Sequence, residues 1–153
     1  MAAGAAARAA ASATATSQAT TKDRPKLCPA PTPESNVGWS DNSIGYQQYV
    51  TGLPPGLKVQ LNDVDFDGCR EPKGPMLEGK GAFEKFMQKD EEKFQPWFTG
   101  ADDWPRQLED QSVAARAAGM RVEWHVQEKR VADYIRGLAS GYDNITVIWD
   151  PWP

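Results

Sequence analysis

The chain has 153 residues, 40% of them hydrophobic and 25% charged, with a formal net charge of -4. That length makes one domain, and no apolar run is long enough to cross a bilayer as a helix. The acidic balance excludes a protein that coats nucleic acid over its whole surface, though not a local basic groove or phosphate drawn in by bound cations.

Residues 1–21 are almost wholly Ala, Ser, Thr and Gly, and residues 22–38 are polar with prolines at Pro25, Pro29, Pro31 and Pro33. Neither stretch carries enough apolar surface to offset the entropy of ordering. The tract also lacks the Leu/Val/Phe core of a signal peptide. A disordered leader or linker over 1–38 and a folded domain over 39–153 are the expectation. Of the two cysteines, Cys28 falls in the leader and Cys69 in the domain. They form no CxxC pair, so a cysteine-built zinc site is excluded and a disulfide framework has no support.

Within the domain, Asp41 or Asn42 caps a helix through Tyr46, Gln47 and Val50 that Gly52 ends. Leu57, Val59 and Leu61 alternate with polar residues as a half-buried strand, and Asn62-Asp63 is a hairpin turn. Val64 and Phe66 then alternate with Asp65 and Asp67, giving a second strand with one apolar and one acidic face. Met76–Lys80 is the third strand. The stripe of Phe83, Phe86 and Met87 predicts a helix over 81–94. A second helix starts at Asp102 or Asp103, carries Pro105 in its first turn and stops before Gly119, with Leu108, Gln111, Ala115 and Ala118 on one face. A strand over 121–126, a helix through Val131, Ile135 and Leu138, and a last strand over 145–149 complete the order. An α/β fold, a mixed sheet flanked by helices, closes this arrangement.

The chemistry concentrates between Val64 and Gly81. Alternation puts Glu78 and Lys80 on one face of their strand and Asp65 and Asp67 on one face of theirs. Two acids and a lysine converging from neighbouring strands suit metal-dependent phosphodiester hydrolysis. The acids hold a hard divalent cation through oxygen, and the lysine orients the attacking water or stabilises developing negative charge. The competing reading is a solvated strand face with a cross-strand ion pair. Asp63-x-Asp65-x-Asp67-Gly68 also matches the first half of a calcium loop, but Gly74 stands where that loop needs a bidentate Glu. His125 is the lone histidine; it alternates outward from Val122, Trp124 and Val126, and a structural hydrogen bond suits it better than a role as general base. Trp97, Trp104, Trp149 and Trp152 belong to core or rim, with base stacking as the alternative.

The order of these elements, with Asp on the second strand and Glu-x-Lys on the third, resembles the PD-(D/E)xK restriction-endonuclease-like superfamily. More narrowly, the chain is similar to its toxin branch Tox-REase-5. The resemblance rests on Tyr46-Gln47 with Val50-Thr51-Gly52, Val64-Asp65-Phe66-Asp67-Gly68, Leu77-Glu78-Gly79-Lys80-Gly81, Gln111, and Val122-Glu123-Trp124-His125-Val126, and it covers about residues 40–153. It implies Asp67, Glu78, Lys80 and Gln111 as catalytic residues, Asp67 and Glu78 as ligands of Mg²⁺ or Mn²⁺, and a restriction-endonuclease-like core. The residue between Glu and Lys is often Ala in this branch, and here it is Gly79. A cysteine pair often precedes the domain, and here only Cys28 does.

The resemblance further implies a deoxyribonuclease toxin used in interbacterial competition as polymorphic-toxin or type VI secretion cargo. Its partners would be DNA, a cognate immunity protein and a delivery module or secretion apparatus, with no membrane. It would be held with the immunity protein in the producer cytoplasm and act in the target-cell cytoplasm. A ribonuclease on the same fold and a non-catalytic binding module are the alternatives.

Overall fold

The structure, a computed structural model, describes residues 26–153. The Ala/Ser/Thr tract and the first residues of the Pro-rich run, expected to be a linker, lie outside the described residues. Strands β1 (Thr32–Pro33), β2 (Leu57–Leu61) and β3 (Val64–Phe66) form one antiparallel sheet. Strands β4 (Gly68–Cys69), β5 (Met76–Lys80), β6 (Val122–Val126) and β7 (Ile145–Trp149) form a second sheet in that order. In it β4 runs antiparallel to β5, and β5, β6 and β7 run parallel. The helices are α1 (Asp41–Thr51), α2 (Trp104–Ala117) and α3 (Lys129–Ala139). The fold is a mixed α/β one, consistent with a restriction-endonuclease-like core.

Local chemistry sets the boundaries. Helix α1 is capped not by Asp41 or Asn42 but by Ser40, whose Oγ accepts the Ser43 N–H at 3.1 Å. Ser40 is the residue left extended outside the first turn, which is what an N-cap requires. Gly52 ends the helix at φ 74° with its N–H on the Gln48 carbonyl. Asn62 and Asp63 both hold positive φ, 51° and 66°, so the β2–β3 hairpin turns as a type I′ pair does.

Sheet register places the site. Glu78 pairs with Trp124 and Lys80 with Val126, while Gly79 pairs with His125. Glu78 and Lys80 therefore share the Trp124 face, which α2 and α3 cover with Leu108, Ala115, Val131 and Ile135. Val122, Trp124 and Val126 are fully buried there, as a central parallel strand should be. Gly79 lies on the opposite face under α1, where an added Cβ would stand 3.5 Å from Val50 Cγ2.

Three expectations are corrected. The stretch 81–94 is not a helix: it holds one 3₁₀ turn, Glu84–Phe86, then folds back through a Met87–Phe94 bridge. Phe83 and Phe94 both meet the Trp104 ring edge-on, at 5.3 and 5.6 Å. A helix would separate those two residues by about 16 Å, so aromatic packing overrides the apolar stripe. The described part of the expected leader, 26–38, is packed on the domain: β1 pairs with β2 and the Glu34 N–H donates to the Gly56 carbonyl at 2.8 Å. Finally, Cys28 and Cys69 form a disulfide across 41 residues of sequence, which spacing alone did not suggest.

Two strand glycines, Gly68 on the edge strand β4 and Gly79 on β5, carry opposite predictions. Gly68 lies under the end of α1, and a Cβ there would stand 2.7 Å from Thr51 Cγ2; Gly68→Ala should cost about 1–3 kcal/mol. At Gly79 the same methyl meets only ordinary contacts, so Gly79→Ala should add about 0.5–1 kcal/mol. Urea unfolding midpoints of the two variants check both signs. Replacing both cysteines by serine should lower stability by about 2–4 kcal/mol. A reductant should then destabilise the parent chain in the same denaturation assay and leave the double variant unchanged.

Candidate active site

Asp67 lies where the chain passes from one sheet to the other, after β3 and before β4. Glu78 and Lys80 lie two residues apart on β5, and the first half of α2 crosses their face. All three acidic or basic groups line one cleft of about 560 Å³, together with Glu34, Gln107 and Trp104.

Glu78 is buried and each of its oxygens is held. Its Oε1 accepts the Gln111 Nε2–H at 2.9 Å. Its Oε2 accepts from Lys80 Nζ at 3.0 Å and from Gln107 Nε2 at 2.9 Å. Gln107 closes the ring by accepting from Lys80 Nζ through Oε1 at 3.0 Å. The ammonium also sits over the Trp124 and Trp104 rings, 4.9 and 5.4 Å from their centroids. This cage fixes the direction of a long, flexible side chain. Gln111 is fixed in turn: its Oε1 accepts the Trp124 indole N–H at 2.8 Å and its Nε2 also reaches the Asp65 carbonyl. That network orients the amide, so that nitrogen faces the carboxylate.

Asp67 is buried beside Glu78. Its Oδ2 accepts the Gly79 N–H at 2.8 Å, and among the described residues no hydrogen bond reaches Oδ1. Burial first, then the Glu78 charge, pushes its carboxyl well above the usual carboxylate range against the pull of Lys80 and the Gly79 N–H. Glu34 is likewise raised by burial, with Glu78 adding to the rise and the Gln47 hydrogen bond opposing it. A hard divalent cation relieves such crowding, and all-oxygen donors suit Mg²⁺ or Mn²⁺. Among the described residues no three His, Cys, Asp or Glu side chains are grouped to hold a metal by themselves. Two carboxylates with the remaining positions left to water and phosphate is how Mg²⁺ is commonly held, so the donor set fits.

The structure thus brings Asp67, Glu78, Lys80 and Gln111 together. Asp65 lines the cleft, but its carboxylate is taken by Lys58 at 3.1 Å and Gln60 at 2.8 Å across the β2–β3 hairpin. Asp65 and Asp67 thus both line the cleft, but their carboxylates have different partners, and only that of Asp67 accepts the Gly79 N–H. His125 lies on the other face of β6, with Nδ1 2.8 Å from Asp150 and Nε2 2.9 Å from Glu123, a structural bridge. Tyr46 is buried there too and donates to the Asp150 carbonyl. Gln47 lines the cleft and donates to Glu34.

Two participants escaped the sequence reading. Gln107 lies one helical turn before Gln111, and that i, i+4 pair of amides on one face was the available signal. Glu34 had none, since it reaches the cleft through long-range contacts of residues 26–38: β1 pairing, backbone hydrogen bonds to the domain and the disulfide.

Asp67 gives a stability prediction with a definite sign. A carboxyl held above its unfolded value of 3.8 favours the folded state when protonated. Its contribution is fully present below that value and is lost as pH rises through the folded one. Asp67→Asn, which keeps an acceptor for the Gly79 N–H, should raise the melting temperature of metal-free protein at pH 7. The gain should shrink toward pH 4. A pH series of thermal melts of both proteins checks it.

No curated protein matches this chain. Residues 43–129 match the family model described as restriction endonuclease fold toxin 5. That match contains Asp67, the Glu78-Gly79-Lys80 strand, both glutamines of α2 and the Trp124 strand, and by it the chain belongs to the restriction endonuclease fold toxin 5 family.

Proposed function

We propose that this domain is a metal-dependent deoxyribonuclease toxin that hydrolyses DNA phosphodiester bonds in rival bacteria. The observation that carries the reading is the pair of buried carboxylates, Asp67 and Glu78, beside a caged lysine in an open cleft. A surface ion pair retained for solubility would be solvated, whereas Glu78 and Lys80 leave only 5% and 11% of their side chains exposed. Burying charge at that density costs stability and is kept where chemistry needs it.

Asp67 and Glu78 would hold the Mg²⁺ or Mn²⁺. Bound there, the ion supplies a water of lowered pKa and neutralises charge on the phosphate. Lys80 Nζ, with Gln107 and Glu78 fixing its position, donates a hydrogen bond to the attacking water or to a phosphate oxygen as negative charge grows. Gln111 keeps the Glu78 carboxylate oriented from behind, so that Oε1 retains a lone pair toward the cleft.

Membership of a toxin family supports a role between cells, with a cognate immunity protein that protects the producer and a delivery module or secretion apparatus that exports the domain. The Cys28–Cys69 disulfide agrees with passage through an oxidising compartment before action in the target cytoplasm.

The test is cleavage of supercoiled plasmid, of single-stranded circular DNA and of RNA with Mg²⁺, with Mn²⁺ and with EDTA. Metal-dependent cleavage should fall at least about a hundredfold in Lys80→Ala and in Asp67→Asn, both first shown folded by circular dichroism. Full activity in folded Lys80→Ala would overturn the mechanism. Cleavage of RNA alone would move the reading to a ribonuclease, and no cleavage of either would leave a binding module.

A further inference from the structure

The cleft presents a charge problem for any nucleic acid. Its lining carries five carboxylates, Glu34, Asp65, Asp67, Glu78 and Asp103, against one ammonium, Lys80, and no arginine. A phosphodiester strand entering it gains little of the Lys/Arg–phosphate attraction that usually dominates nucleic-acid affinity. Metal at two of those acids neutralises part of the field at the scissile phosphate only. Something other than backbone charge must hold the flanking nucleotides.

Trp39 is placed for that task. It lines the same cleft, yet it is 38% exposed and takes no part in the hydrophobic core. Its backbone is fixed on both sides. Gly38 precedes it at φ 85°, the Trp39 N–H donates to the Asn36 carbonyl at 3.1 Å, and Ser40 follows as the cap of α1. Among the described residues its indole N–H has no protein acceptor, unlike that of Trp124, and its ring has no aromatic neighbour, unlike that of Trp104. A large apolar ring outside the hydrophobic core, with more than a third of its surface left in water, costs hydration that core burial would recover. It also lies outside the matched segment 43–129, in the part of the chain that β1 and the disulfide hold against the domain.

We infer that Trp39 is a base-stacking subsite on the rim of the cleft, taking an unpaired nucleobase of single-stranded DNA beside the scissile phosphate. This rests on the nuclease reading above and adds its substrate class. Stacking on an aromatic face is sequence-tolerant and needs no positive charge, and it requires a base that is out of the duplex. It fits an acidic cleft in a way that a duplex, whose base faces are already stacked on one another, does not.

The experiment compares two strands of equal length with Mg²⁺. One is a single-stranded oligodeoxynucleotide; the other is a baseless strand of tetrahydrofuran phosphodiesters. Wild type should cleave the base-bearing strand with a kcat/KM roughly five- to 150-fold higher, the range that one stacked base supplies. Trp39→Ala should remove that advantage while cleaving the baseless strand as wild type does, and Trp39→Phe should restore most of it. Equal cleavage of the base-bearing strand by wild type and Trp39→Ala would overturn the subsite. So would an equal loss by Trp39→Ala on both strands, which would mean that the ring only shapes the cleft. If wild type cleaves neither strand nor the plasmid, the nuclease reading itself fails and the subsite falls with it. Cleavage of the baseless strand shows that reading standing independently of Trp39.

Discussion

A single buried carboxylate, that of Glu78, constrains most of what surrounds it. An ion this far from water loses several kcal/mol of hydration unless charge and hydrogen bonds replace it. Here three donors do so: the Lys80 ammonium and the amides of Gln107 and Gln111. That requirement fixes the distance of α2 from β5 and the rotation of α2 about its axis, since both glutamines must face the strand. It also explains why Trp124 stands opposite Glu78 in the ladder, because its indole N–H orients Gln111. Core packing and site geometry are thus solved by the same side chains, and a shift in either disturbs both.

Asp67 belongs to the same economy of charge. It has one firm donor, the Gly79 N–H, and lies beside a second carboxylate. The metal-free site is therefore electrostatically uphill at neutral pH, a condition common where a cation is to be bound rather than where stability is the aim. The break between the two sheets makes this possible. Because the chain changes pairing partner at Asp67, that residue is released from strand alternation and its side chain reaches the Gly79 amide.

The segment ahead of α1 turns a compact core into a cleft. β1 pairing, the Glu34–Gly56 backbone hydrogen bond and the Gln47–Glu34 contact hold the stretch from Glu34 to Ser40 as a wall that carries an acid and an exposed indole. The disulfide fastens that segment to β4, two residues beyond Asp67. Covalent closure of a long loop compensates for a segment too polar and proline-rich to hold itself by burial.

The sequence alone determined most of the local elements and named the acidic and basic residues that the cleft brings together. Alternation at Leu57–Leu61 and Val64–Phe66, turn residues at Asn62-Asp63, Gly52 and Gly119 as helix stops, and the Glu-x-Lys pair all depend on neighbours within a few residues, so their signals are local. Tertiary structure decided what depends on distant partners. The helical stripe over 81–94 gave way to a cluster around Trp104, because rings eleven residues apart gain more by packing on one indole than by lying along a helix. Asp65 and Asp67 line one cleft but differ in role, because Lys58 and Gln60 take the Asp65 carboxylate while Asp67 reaches the Gly79 amide. Glu34 and the Cys28–Cys69 bond became visible only once folding brought together groups 44 and 41 residues apart in sequence, and side-chain chemistry alone does not encode which distant group will be met.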